Sequence, residues 1–198
     1  MQNESLEDLN ELFQEAMIEN NIERAKEILK LVDENKAEGE FDINEEDEEG
    51  RTALQFFLDK EEIDVGLIKL LIEKKAQVGL ENEAENVFFL AYKNGNELLM
   101  DLFLQEYHKN KTERGLDHCL RGYSSNKRIN LEGIKKLIDL KANPNPFDQL
   151  DGSLHLASLN DNTNLEIIKY LVEVNRRINS KKITTKAFLS INVDGRCK

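Results

Sequence analysis

The chain has 198 residues, of which 39% are hydrophobic and 33% charged; that apolar content is sufficient to fold, and no apolar window approaches the length needed to cross a bilayer. Its two cysteines, Cys119 and Cys197, exclude a disulfide framework and fit a reducing compartment. The formal charge of −12 is uneven, with 10 Lys+Arg against 27 Asp+Glu in residues 1–99 and 17 against 12 in residues 100–198, so the N-terminal half should repel duplex nucleic acid and steer a basic partner.

The segment from Met1 to Glu11 is polar and acidic, so no cleaved secretory leader is expected. Ser5–Ile18 and Ile22–Val32 read as two amphipathic helices broken at Asn20-Asn21, and Phe41-Asp42-Ile43-Asn44 closes a first, capping unit over 5–44. The clearest unit follows over 45–79. Asp47 and Gly50 make a tight turn, Thr52 caps a short helix, and Leu67, Leu70 and Leu71 form the buried stripe of a second helix.

A third unit over 80–111 carries Ala91-Tyr92-Lys93-Asn94-Gly95 and then Leu98 to Leu104, although its turn segment lacks the Asp, Gly and Thr of the preceding one. The fourth, over 112–146, pairs Leu116-Asp117-His118-Cys119 with a helix ending at Ala142-Asn143; Gly122, Ser124 and Ser125 predict an insertion loop between Leu120 and Glu132. The fifth, over 147–179, contains Leu154-His155-Leu156-Ala157 and a helix ending at Ile178-Asn179. Residues 180–198 hold half a unit, with Thr185–Leu189 as a final helix before a polar tail, either a cap or the start of a longer array.

The apolar doublets Leu70-Leu71, Leu102-Phe103, Leu137-Ile138 and Tyr170-Leu171 recur at steps of 32, 35 and 33 residues. A period of that size marks stacked supersecondary units. Together with Thr52-Ala53-Leu54, Leu154-His155-Leu156-Ala157 and the Lys-Ala-Asn ending at Lys141–Asn143, it resembles the ankyrin repeat over most of residues 5–179. The resemblance implies an all-α, ankyrin-repeat solenoid in a single domain, 1–198, with small residues Ala91, Cys119 and Ala157 where hairpins approach most closely. Phe57 departs from that pattern and needs a local shift.

Catalytic and metal chemistry find little support. His118 and Cys119 are adjacent and point in different directions on a helix, which argues against a catalytic dyad. In Asp33–Gly39 the fifth position is Ala37 and the Gly comes one residue late for a calcium loop. No phosphate loop, dinucleotide fingerprint or zinc-ligand set occurs. We therefore expect no enzyme activity, no cofactor and no metal, and read His155 as a structural residue of its helix start.

By its family resemblance the chain is expected to be a monomeric, cytoplasmic, non-catalytic module that binds a protein, one with a basic surface, on the concave face made by loop tips and first helices. By register the contact candidates are Glu46, Glu48, Glu49, Arg51, Glu83, Glu85 and Lys93, continued by Arg114, Arg121, Gln149 and Asp151. The alternatives are a substrate-recruiting or regulatory region of a larger enzyme, or, from the richness in Asn, Lys, Glu and Ile, an effector that an intracellular bacterium delivers to a host cytosol. A solvated acidic turn with no partner is the bland reading of Glu45–Glu49.

Overall fold

Among the described residues, asparagine or aspartate starts the second helix of every hairpin. In the computed structural model, which describes residues 6–34, 41–78, 86–110, 114–145 and 152–193, ten helices pair into five hairpins. They are α1 (Leu6–Ile18) with α2 (Ile22–Glu34), α3 (Ala53–Leu58) with α4 (Val65–Glu73), α5 (Val87–Asn94) with α6 (Glu97–Asn110), α7 (Gly115–Ser124) with α8 (Leu131–Asp139), and α9 (Ser153–Leu159) with α10 (Leu165–Val193). Among the described residues there is no strand.

The side-chain oxygens of Asn21, Asp64, Asn96, Asn130 and Asn164 accept from the backbone N–H of Arg24, Leu67, Leu98, Gly133 and Ile167 respectively, at 2.7–3.1 Å. Each thereby satisfies one of the donors that a helix start leaves open. At the start of α3, Thr52 and Gln55 form a reciprocal capping box, as the Thr-x-x-Gln spacing predicts.

Packing runs in one direction. α1 lies on α2 and α3, α2 on α4, α3 on α4 and α5, α5 on α6 and α7, α7 on α6, α8 and α9, α8 on α10, and α9 on α10. Every one of these contacts joins helices of one hairpin or of two consecutive hairpins. The core follows the same course, through Phe13, Met17 and Leu29, then Leu54, Leu67 and Leu71, then Phe88, Leu99 and Phe103, then Leu120, Ile134 and Leu137, to Ala157, Ile167 and Leu171. Each fully buried Leu or Phe in that course contributes about 1.5–3 kcal/mol.

Helices α5 and α7 approach each other closely. A Cβ on Gly122 would lie 2.2 Å from the Phe89 carbonyl oxygen and 3.0 Å from the Lys93 nitrogen, so only a glycine permits this approach. The insertion loop expected after Leu120 is therefore absent. Gly122 and Ser124 are buried inside α7, the Ser124 hydroxyl donates to the Leu120 carbonyl at 2.8 Å, and only Ser125–Asn130 link α7 to α8.

The ends differ from the sequence expectation too. No stop follows Ile178-Asn179; α10 continues without a break from Leu165 to Val193, 29 residues or about 43 Å at the usual rise. A separate helix over Thr185–Leu189 is thus part of α10. Cys197 and residues 79–85, including the turn of the third unit, lie outside the described residues.

Two second helices end in a left-handed residue that is not glycine. Lys75 (φ 68°) and Lys141 (φ 82°) each let the next N–H, of Ala76 and Ala142, reach back to the carbonyls of Leu71 and Leu137 at 2.9 and 3.0 Å.

Candidate interaction surface

The acidic segment before α3 is a built turn. The Asp47 carbonyl accepts from Gly50 N–H at 2.9 Å with Gly50 at φ 75°, and Asp47 N–H donates to the Arg51 carbonyl at 2.9 Å. Inside this ring one Asp47 oxygen accepts from the backbone N–H groups of Glu49 (3.0 Å) and Arg51 (2.8 Å), and the other from the Arg51 guanidinium (3.0 and 2.9 Å). Burial acts to raise the Asp47 carboxyl, but the Arg51 backbone and side-chain bonds outweigh it and hold it below its usual value. Upstream, Ile43 is buried, and Asn44 Oδ1 accepts from Gln77 N–H at 2.7 Å, 33 residues away.

This frame leaves Glu45, Glu46, Glu48 and Glu49 in water. Glu49 closes onto Arg51; Glu46 and Glu48 make no ion pair among the described residues. Arg51 faces inward to Asp47 and lies 5.0 Å over the Phe56 ring, so it anchors the turn rather than presenting a charge.

The remaining candidates separate. Lys93 is exposed, 3.9 Å from Asp59 and 5.9 Å from the Phe89 ring centre. Arg114 is exposed at the start of α7 in the left-handed conformation (φ 57°), without a side-chain cap. Arg121, expected on the open strip, is 8% exposed. It is drawn in because its guanidinium meets His118 Nδ1 at 3.3 Å and the Phe89 face at 5.3 Å. Glu83, Glu85, Gln149 and Asp151 lie outside the described residues.

Two features here were missed at the sequence level. Phe56 carries Lys60 Nζ at 3.6 Å as well as Arg51, and Phe89 carries Lys93 and Arg121, so cations cover an aromatic ring at two successive units. The signal was legible as Phe-x-x-x-Lys at 56–60 and again at 89–93. Between the ends of α3, α5 and α7, Asp59, Lys60, Lys93, Asn94 and Lys127 edge a cleft of about 290 Å³.

Burial displaces the titratable groups Asp117, His118 and Cys119 of α7 beside this surface. Burial, reinforced by the charges of Arg121 and Arg114, pushes His118 down to about 4, so the ring is neutral near pH 7 and accepts from Arg121. Burial pushes the Cys119 thiol well up, which suppresses the thiolate that nucleophilic chemistry needs. Among the described residues no group of three His, Cys, Asp or Glu side chains is placed to hold a metal ion, and no helix is long and apolar enough to cross a membrane.

Comparison of the chain with family models, curated proteins and solved structures finds no match.

Proposed function

We propose that the chain is an ankyrin-like, non-catalytic recognition module that binds a protein with a basic surface through its loop tips and the adjoining edges of its first helices. The observation that supports it most is the Asp47–Arg51 ring, which fixes a turn and holds Glu46, Glu48 and Glu49 outward. A pre-formed acidic tip loses little conformational entropy on binding and speeds encounter with a cationic partner. We take the module to act as a monomer in the cytoplasm.

The test is affinity capture of partners from cell lysate, parent against a variant with Glu46, Glu48 and Glu49 all changed to Lys. The reading expects a protein captured by the parent to be lost with the variant, and its binding to weaken as salt rises from about 0.05 to 0.5 M, because exposed charges are screened over a few ångströms at the upper end. A captured protein retained equally by both, with salt-independent affinity, would move the site elsewhere.

A further inference from the structure

Helix α6 stands apart from its neighbours in the second-helix layer. α2 lies on α4 and α8 on α10, but α6 has its principal contacts with α5 and α7 only. The space left between α6 and α8 is a cleft of about 320 Å³, continued along α8 by a shallower one of about 690 Å³ that shares Leu104, Tyr123, Gly133 and Lys136 with the first.

The sequence makes this trough in two ways. Gly133 of α8 has no Cβ, and the Tyr123 ring occupies that place, 2.4–2.5 Å from where a Cβ would be. Tyr123 in turn stands edge-on to Tyr92 (6.5 Å, 81°), so two aromatic rings form the floor and spread the helices above them. Met100, Leu104 and Leu137 complete an apolar lining.

The α6 rim is acidic, whereas the α8 rim mixes Lys135 and Lys136 with Glu132 and Asp139. Glu97 and Asp101, one helical turn apart, line the α6 side, and Lys136 lines the α8 side; all three are exposed, and none makes an ion pair among the described residues. Burial chiefly raises both tyrosine hydroxyls of the floor, and the charges of Glu132 and then Glu97 add to this at Tyr123 and that of Asp101 at Tyr92. From Glu97 to Leu104 the α6 wall runs about 11 Å, two helical turns.

We propose that this trough, separate from the acidic tip, is a docking groove for an amphipathic helical peptide. Apolar side chains spaced three and four residues apart enter between α6 and α8, and a basic flank lies along Glu97 and Asp101. Helix-in-groove recognition uses such an apolar row for affinity and its flanks for orientation. The size of the cleft suits side chains rather than a whole helix, which would ride on the rims.

The experiment titrates the full chain with two synthetic helical peptides that share one apolar Leu/Phe row. One has Arg along one flank and Glu along the other, and its companion has Glu along both. Backbone amide shifts are followed at Gly133 and Leu104. The mixed-flank peptide should bind tighter than about 1 mM and at least about fivefold tighter than its companion. With Glu97 and Asp101 both changed to Lys, exposed positions whose replacement leaves the core intact, that preference should reverse, while the triple Lys variant of the acidic tip should bind the mixed peptide like the parent. No binding of either peptide, a preference unmoved by the α6 charge reversal, or shifts confined to other helices would overturn the proposal.

Discussion

The Asn126 side-chain amide donates to the Tyr92 carbonyl at 2.8 Å across 34 residues, tying the end of α7 to the end of α5. Asn160 repeats the bond to the carbonyls of Ser124 (3.0 Å) and Asn126 (2.8 Å), and Asn94 makes a longer one to the Glu61 carbonyl (3.3 Å). Asn126 is 1% exposed and also accepts from Arg128 N–H at 2.7 Å, so its loss orphans a buried carbonyl and a backbone donor together. Asn126→Ala should cost about 2–4 kcal/mol, Asn160→Ala about 1–2, and Asn94→Ala under about 1. Urea denaturation of the three variants checks the order; equal losses would refute it.

Glycine in place of a left-handed lysine should stabilise. Lys75→Gly and Lys141→Gly each remove the steric cost of a side chain at positive φ, for a net gain of about 0.5–1 kcal/mol, and the gains should add because the sites belong to different hairpins. The same change at Lys69, exposed inside α4, should instead cost about 1 kcal/mol. Thermal melts of the three variants measure the contrast in sign.

Gly122→Ala reverses the usual helix rule. On an exposed helix the change is favourable, but here the new methyl would meet the backbone of Phe89, which cannot step aside without parting α5 from α7. We expect a loss of about 2–4 kcal/mol. Ala157→Asp, at a fully buried site between α7 and α10, should cost a similar amount or more by burying an unpaired charge. A melting temperature within a degree or two of the parent for either variant would contradict the packing described.

Acid should act in two stages. His118 is depressed in the folded chain, so below its unfolded value of about 6.5 the unfolded state takes up a proton that the folded state refuses; stability falls from there down to about pH 4, by a few kcal/mol in all. Asp47 and Asp64 are also depressed, Asp64 chiefly by its bond from Lys26 at 2.8 Å, so their contribution is present above pH 4 and is lost as pH drops through their folded values below 3.8. Asp117, which burial raises, opposes the trend above pH 3.8. His118→Gln, which can still accept from Arg121, should flatten the first stage in a pH series of urea midpoints and leave the second.

The turn at Asp47–Gly50, the Thr52 cap and the Leu67–Leu71 stripe were readable because each depends on residues within one helical turn of one another. The asparagine starts of the second helices were equally local and could have been read. The asparagine bonds between units were not legible, since their acceptors are backbone carbonyls of any residue type more than thirty positions away.

They also correct one equivalence. Counted back from the bonding asparagine, Ala91 and Ala157 sit at the same place, three residues before Asn94 and Asn160, but Tyr123 holds that place before Asn126 and Cys119 lies about one turn earlier. α7 therefore starts a turn ahead of α5 and α9, and its Gly122 and Ser124 resemble loop residues by type while packing as helix. Register puts Arg121 on the open strip, but with α7 starting a turn early its stem and planar head fit between His118 and Phe89.

The side-chain rungs at Asn94, Asn126 and Asn160 all point toward the N-terminus, which gives the stack a polarity. During synthesis the second, third and fourth hairpins each emerge with a carbonyl waiting and are latched only when the following asparagine leaves the ribosome. Shortening the chain from its C-terminal end consequently strips a latch from the last surviving hairpin, whereas shortening it from the other end frees only an amide that water can accept.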